Sequence, residues 1–205
     1  MNEDLNIPKE YLGKMRRAEE CIDIDTYGIA IAAVTGLRSK DPSTQVGACI
    51  MNKEGNVIST GFNAPPKGWA YEEFPFDKPE KKEFSKYTHI IHAEENAIKN
   101  FNGDKKELED SKMYVTFLPC PKCAAIIMNY GIKNVIYLAD NKRDLSDAKA
   151  TRIAFHHGGV KLTQYIENKD EELDSLDINL NSNDEKDYAK INRNVKTLKY
   201  TPKKY

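Results

Sequence analysis

The sequence predicts an α/β protein, a three-layer α/β/α sandwich built on a five-stranded mixed sheet. Three observations carry this expectation. Helical and strand-like periodicities alternate along the chain. An early pair of β-rich segments is joined by a short Asn/Gly turn, the signal of an antiparallel hairpin. The later strands are separated by helix-length segments, which calls for parallel pairing with right-handed crossovers.

The elements follow in order. Asp25 is placed to cap a helix over Thr26–Arg38, where Ile29, Ala30, Ala33, Val34 and Leu37 recur at helical spacing. That helix must end before Pro42, because Asp41 precedes proline and is pushed out of the helical region. Gln45–Met51 and Val57–Thr60 form the hairpin, turning at Asn52–Asn56. Gly61–Gly68 is loop by its Gly and Pro content, and the irregular stretch continues to about Tyr87 with Trp69, Tyr71, Phe74 and Phe76 among charges. Such an excursion is either functional or a packed surface loop with a small aromatic core of its own. A helix begins near His92 and turns at Asn102–Asp104; Lys112–Phe117 is a strand with Met113, Val115 and Phe117 on one face. The Cys120–Asn129 helix closes at Tyr130-Gly131, a good C-cap. Asn134–Ala139 is a buried-type strand, Ser146–His157 a helix ending at Gly158-Gly159, and Val160–Ile166 the last strand.

All of these elements lie in 25–166, long enough for one domain with a real core. Residues 1–24 read as a polar N-terminal extension with a short helix through Tyr11–Cys21, and 167–205 as a charged C-terminal tail. Lys and Arg number 31 against 32 Asp and Glu, for a net charge of −1, which gives no basic excess for a general nucleic-acid binder. No apolar run approaches the roughly 18–20 residues that span a bilayer. The polar, acidic start is not a secretory signal. Cys21 and Cys49 read as reduced thiols, and a cytoplasmic location is expected.

The chemistry is concentrated in His92-Ala93-Glu94 and Pro119-Cys120-Pro121-Lys122-Cys123. In Cys-x-x-Cys the two sulfurs come from the first turn of a helix and can share one ion. One His and two Cys leave a zinc ion an open fourth position, which is how catalytic zinc is held. With a neutral imidazole and two thiolates the assembly has zero formal charge, and its bound water is acidified. Both segments are followed by helix-compatible sequence, so helix dipoles favour the thiolates. Glu94 is not needed as a ligand and is free to carry a proton. A purely structural zinc would require a fourth ligand, for which His89 is the nearest candidate. Cys49 fits a strand as a small core residue, and His156 and His157 suit a helix C-terminus.

The pattern His-x-Glu followed by Pro-Cys-x-x-Cys resembles that of the zinc-dependent nucleobase deaminases. Further residues narrow the likeness: Arg38–Ala48, Gly61-Phe62-Asn63, Asn96-Ala97-Ile98, Met113-Tyr114-Val115 and Gly131-Ile132-Lys133, in order over about 25–166. Together they resemble the deoxycytidylate deaminases, of the cytidine/deoxycytidylate deaminase superfamily. That resemblance implies a cytidine-deaminase-like fold and hydrolysis of dCMP to dUMP, which supplies thymidylate synthesis. It implies zinc on His92, Cys120 and Cys123, Glu94 as proton shuttle, and Asn63 on the sugar. The backbone amide of Ala93 is expected to read the base carbonyl. Arg38 is the expected 5′-phosphate partner, since guanidinium pairs bidentately with phosphate. Ser39, Lys40 and Lys67 are secondary candidates. The resemblance also implies a homohexamer under dCTP and dTTP control, with Mg2+ accompanying a triphosphate effector. The loop departs from the family at Gly-Phe-Asn-Ala, where Gly-Tyr-Asn-Gly is usual; Ala64 lacks glycine's freedom at positive φ, near where the effector binds. A dCTP or other cytosine-nucleotide deaminase is the nearest alternative. A tRNA deaminase is disfavoured by the near-zero net charge, a free-nucleoside enzyme has no need of Arg38, and a silent nucleotide sensor has no need of Glu94.

Overall fold

The computed structural model describes residues 21–77, 81–140 and 145–165, with the isolated positions Gly13 and Arg17. The expected Tyr11–Cys21 helix and the 167–205 tail lie outside them, apart from Gly13, Arg17 and Cys21. The elements are α1 Ile24–Gly36, β1 Gly47–Met51, β2 Val57–Phe62, α2 Lys86–His89, α3 Ala93–Asn100, α4 Lys106–Glu109, β3 Lys112–Phe117, α5 Pro121–Asn129, β4 Asn134–Ala139, α6 Leu145–His157 and β5 Lys161–Gln164. Two 3-10 turns, Tyr71–Glu73 and Lys82–Phe84, interrupt the long excursion.

The five strands run in the order β2-β1-β3-β4-β5. β1 is antiparallel to both β2 and β3, and β3, β4 and β5 are mutually parallel. The mixed sheet is therefore the expected one. The connection between β1 and β2 is a hairpin closed by Gly55 at φ 83°, with Gly55 N donating to Asn52 O at 3.0 Å. Side-chain alternation builds the layers. Ala48, Ile50, Met113, Val115 and Val135 pack into the larger cluster, with Ala97 from α3, Ile127 from α5 and Phe155 from α6. Cys49, Met51, Tyr114 and Ile136 face the other way and pack with Ile29 and Ala32 of α1. Cys49 is thus the core residue its strand position suggested. Among the described residues no helix is long and apolar enough to cross a membrane.

The cap of α1 is Asp23, not Asp25. Asp23 Oδ1 accepts from Asp25 N and Thr26 N, both at 3.0 Å. Asp25 has a competing use: its carboxylate accepts from Tyr114 Oη at 2.8 Å and Lys112 Nζ at 3.2 Å, fixing α1 to β3. The C-cap glycine after α5 is as expected, with Gly131 at φ 77°.

The described parts of the excursion between β2 and α3 are folded. Ala64 and Ile91 close its base through an antiparallel bridge, with N–H···O distances of 3.0 and 2.9 Å. Inside it Trp69 meets Phe74 at 5.2 Å and Phe74 meets Phe76 at 4.9 Å between ring centroids. Edge-on contacts of this kind hold aromatic rings together.

Candidate metal centre and active site

Two helix N-termini converge at the C-terminal end of β3. His92 is the N-cap of α3 and Cys120 the N-cap of α5, with Pro121 in the first turn where its missing N–H costs nothing. Neither cap side chain is spent on its own helix. The imidazole and the sulfur face each other instead. Cys120 Sγ lies 3.6 Å and Cys123 Sγ 3.4 Å from His92 Nδ1. All three ligand atoms fall within 4.8 Å of one another. A tetrahedral zinc with ordinary Zn–S and Zn–N bonds has N···S edges of about 3.6 Å, so the donor set fits that ion.

The position of α3 depends on β2. A Cβ on Gly61 would stand 2.2 Å from Ala97 N and 2.4 Å from Ala93 O, so only glycine lets the helix backbone this close. Asn96 Nδ2 donates to Phe62 O at 2.8 Å and Asn100 Nδ2 to Thr60 O at 3.0 Å. The Asn of the Asn96-Ala97-Ile98 motif therefore docks the ligand helix.

The ionisable groups perturb one another. A hydrogen bond with Cys120 lifts His92 to about 9. Cys120 is lowered to about 4, first by its hydrogen bond with Cys123, which is raised in turn. Ligation needs a neutral imidazole and two thiolates, so metal binding at these groups releases protons. Glu94 is 4% exposed, and burial raises its carboxyl above the ordinary range. A buried carboxyl beside such a donor set is suited to both accepting and donating a proton.

A cavity of about 460 Å³ opens onto this centre. His92, Ala93, Glu94 and Cys120 line its floor, and Asn63, Thr44, Val46, Asp41 and Lys86 one wall. Phe117, Leu118, Ile90, Tyr87 and Asp147 complete it. Asn63 and Ala93 are therefore gathered with the metal ligands and Glu94. Ala93 stands in the first turn of α3, where N–H groups lack intrahelical partners. Arg38, Ser39 and Lys40 are not part of the lining. Arg38 and Lys67 are exposed, Ser39 Oγ donates to Asn63 O at 2.8 Å, and Lys40 Nζ sits 4.2 Å over the Tyr71 ring. His89 is no fourth ligand: its Nε2 is 2.7 Å from Glu83 O, and its ring lies 5.1 Å from Trp69.

Sequence reasoning does not single out Lys86, Tyr87 and Asp147 as lining residues, and it marks Asp41 only as the residue that precedes Pro42. No spacing pattern marks Lys86, which stands in a run of charges. The Asp-Pro dipeptide was the only local signal for Asp41.

Comparison with known proteins agrees with this geometry. The cytidine and deoxycytidylate deaminase zinc-binding region matches residues 23–139. Deoxycytidylate deaminase of Homo sapiens is 36% identical over 152 residues, covering 74% of this chain and 84% of that protein. The probable deoxycytidylate deaminase of Drosophila melanogaster is 35% identical over 159 residues, covering 75% of this chain and 77% of its own. A dCMP deaminase from cyanophage S-TIM5, crystallised with dCMP and dUMP, shares the fold with a TM-score of 0.57 at 22% identity, over 74% of this chain and 100% of that one.

Proposed function

The chain belongs to the cytidine and deoxycytidylate deaminase zinc-binding family, and from that premise we propose that it hydrolyses dCMP to dUMP and ammonia. One observation carries the reading: two members of a three-donor zinc set, His92 and Cys120, and a buried carboxyl, Glu94, line one cavity of about 460 Å³. His92, Cys120 and Cys123 hold the metal, which when bound supplies a Lewis acid that makes water acidic near neutral pH. Glu94 takes the proton of the attacking water and delivers it to N3 of the cytosine. Glu94 then takes the remaining proton of the hydroxyl added at C4 and passes it to the departing amino group; as the C4–N bond breaks, ammonia leaves and C4 becomes a carbonyl. The Ala93 amide, at the open start of α3, reads the base carbonyl. Asn63 contacts the sugar. Arg38 meets the 5′-phosphate from the rim; Ser39 and Lys40 support that edge, one through the Asn63 backbone and the other against Tyr71.

The test is ammonia release from cytidine, CMP, dCMP and dCTP, with zinc measured on the same sample. Highest kcat/KM on dCMP at one zinc per chain is the expected result. A preference for dCTP would move the reading to that nucleotide, and no release from any of the four would overturn it. The family resemblance further supports a cytoplasmic homohexamer with dCTP and dTTP as effectors, Mg2+ accompanying the triphosphate. Saturation curves with and without dCTP and Mg2+ test this, and identical hyperbolas would remove it.

A further inference from the structure

The wall of the cavity contains a lysine buried to an unusual degree. Lys86 is 2% exposed, at the start of α2, shortly before His92. Its ammonium lies 2.8 Å from both carboxylate oxygens of Asp41 and also meets the Ser43 hydroxyl. Three donors are thereby matched to three acceptors, so Lys86 has no spare hydrogen bond for a phosphate. Lysine is almost never fully buried unless paired. A buried ion pair gives little stability over an apolar pair of equal volume, because desolvation offsets the attraction. Position is the better explanation for this one.

The connections run directly to the sugar end of the pocket. Asp41 Oδ1 accepts from Ser43 N at 2.9 Å and Thr44 N at 3.1 Å, which sets the turn that follows. Thr44 O then accepts from Asn63 Nδ2 at 2.9 Å, and Val46 N donates to Asn63 Oδ1 at 2.8 Å. Asp41 Oδ2 stands 3.5 Å from the same Nδ2. The carboxamide plane of Asn63 is thus set by the turn, the turn by Asp41, and Asp41 by Lys86. We propose that Lys86 is a positioning residue for the sugar end of the nucleotide pocket, acting through Asp41 and the 41–46 turn on Asn63. The inference rests on the reading of this cavity as a dCMP site with Asn63 on the sugar. It gives the 64–91 excursion a role: the segment brings the ammonium back beneath the active-site wall.

Lys86→Met tests this, with dCMP saturation, zinc content and the Asn63 side-chain amide resonances measured together. The expected result is a rise in KM of about tenfold or more, the scale of a small misplacement of a contact group. kcat should fall by less than about threefold, because the defect lies in binding and not in proton transfer. Zinc should remain at one per chain, and the Asn63 amide protons should shift and exchange faster. Lys86→Gln keeps a donor for Asp41 and should recover part of the KM; it carries the comparison if Lys86→Met does not fold. A folded, zinc-loaded variant with the parent's KM and the parent's Asn63 resonances overturns the proposal, as does a loss confined to melting temperature or kcat. If the parent itself releases no ammonia from dCMP, the functional reading falls, and the Asn63 resonances alone still decide the positioning.

Discussion

Glu94→Gln removes a proton carrier while changing almost nothing else. The side chain is 4% exposed on the floor of the cavity, two residues beyond a metal ligand. Gln has the same shape, so the packing of α3 and the donor set should survive. In the proposed mechanism, what is lost is the ability to take protons from the attacking water and hand them to the base and then to the amine. A positioned general acid–base group contributes about 10²–10⁴-fold. At 1.36 kcal/mol per tenfold, that is about 3–5 kcal/mol of barrier. Because Glu94 serves more than one transfer, the loss should sit toward the upper end of that range. Its burial adds to the expectation, since desolvation raises the carboxyl above the ordinary carboxylate range and makes it a better proton acceptor. The assay is steady-state ammonia release from dCMP, with metal content and dCMP affinity measured on the same preparation. kcat and kcat/KM should fall together, the mark of an interaction made only in the transition state. A zinc-loaded Glu94→Gln enzyme within about tenfold of the parent would refute the assigned role.

Two further perturbations probe the frame around the site. Gly61→Ala drives a methyl against Ala97 N at 2.2 Å and Ala93 O at 2.4 Å, and backbone cannot swing aside. Overpacking of this kind costs about 1–3 kcal/mol and sometimes more; urea unfolding should show it, with zinc content falling as α3 is displaced, and unchanged values would mean that β2 does not set the helix position. The second perturbation is pH. Burial alone would raise Asp41, but its hydrogen bond with Lys86 and those from Ser43 and Thr44 more than reverse this and hold it below its ordinary value of 3.8. A carboxylate depressed in the folded state contributes stability that is complete above its unfolded pKa and is lost as pH falls through the folded one. Stability should therefore decline from about pH 4 downward, and the Asp41→Leu/Lys86→Met double variant should lose less over that window; equal acid sensitivity would sink the assignment.

The layers of the fold were legible because each depends on a short-range period. Cys49 and Met51 alternate with Ala48 and Ile50, so one strand feeds two cores, and the pattern can be read without knowing either partner. Boundaries were less legible where tertiary contacts compete for the same residues. Val46 looks like strand, yet its N–H serves the Asn63 side chain, and β1 starts only at Gly47. Asp25 looks like a cap, yet Tyr114 and Lys112 claim it, and Asp23 caps instead. The 64–91 excursion has no period at all. Its Tyr71–Glu73 turn lies in an aromatic cluster of Trp69, Tyr71, Phe74 and Phe76, reached by His89 of the short helix, whose members touch only after the chain has folded.

The site divides along the same physical line. Metal ligands have spacing imposed by the ion: two sulfurs on one helical turn and an imidazole at a second helix start can be recognised from the chain alone. Proton transfer imposes the next position, because the carboxyl must sit beside the ligand it serves. Nothing comparable ties Lys86 to Asp41, two residues separated by 45 positions and joined by no repeating pattern. Arg38 was singled out for its chemistry, and it is exposed outside the cavity lining, whereas Lys86 lies against the wall with its charge already neutralised. In the proposed reading, Arg38 carries phosphate affinity from outside the cavity lining and the buried cation serves geometry. Removing Arg38 and removing Lys86 should consequently differ in kind: the first weakens dCMP relative to the free nucleoside, and the second weakens both through the displaced Asn63.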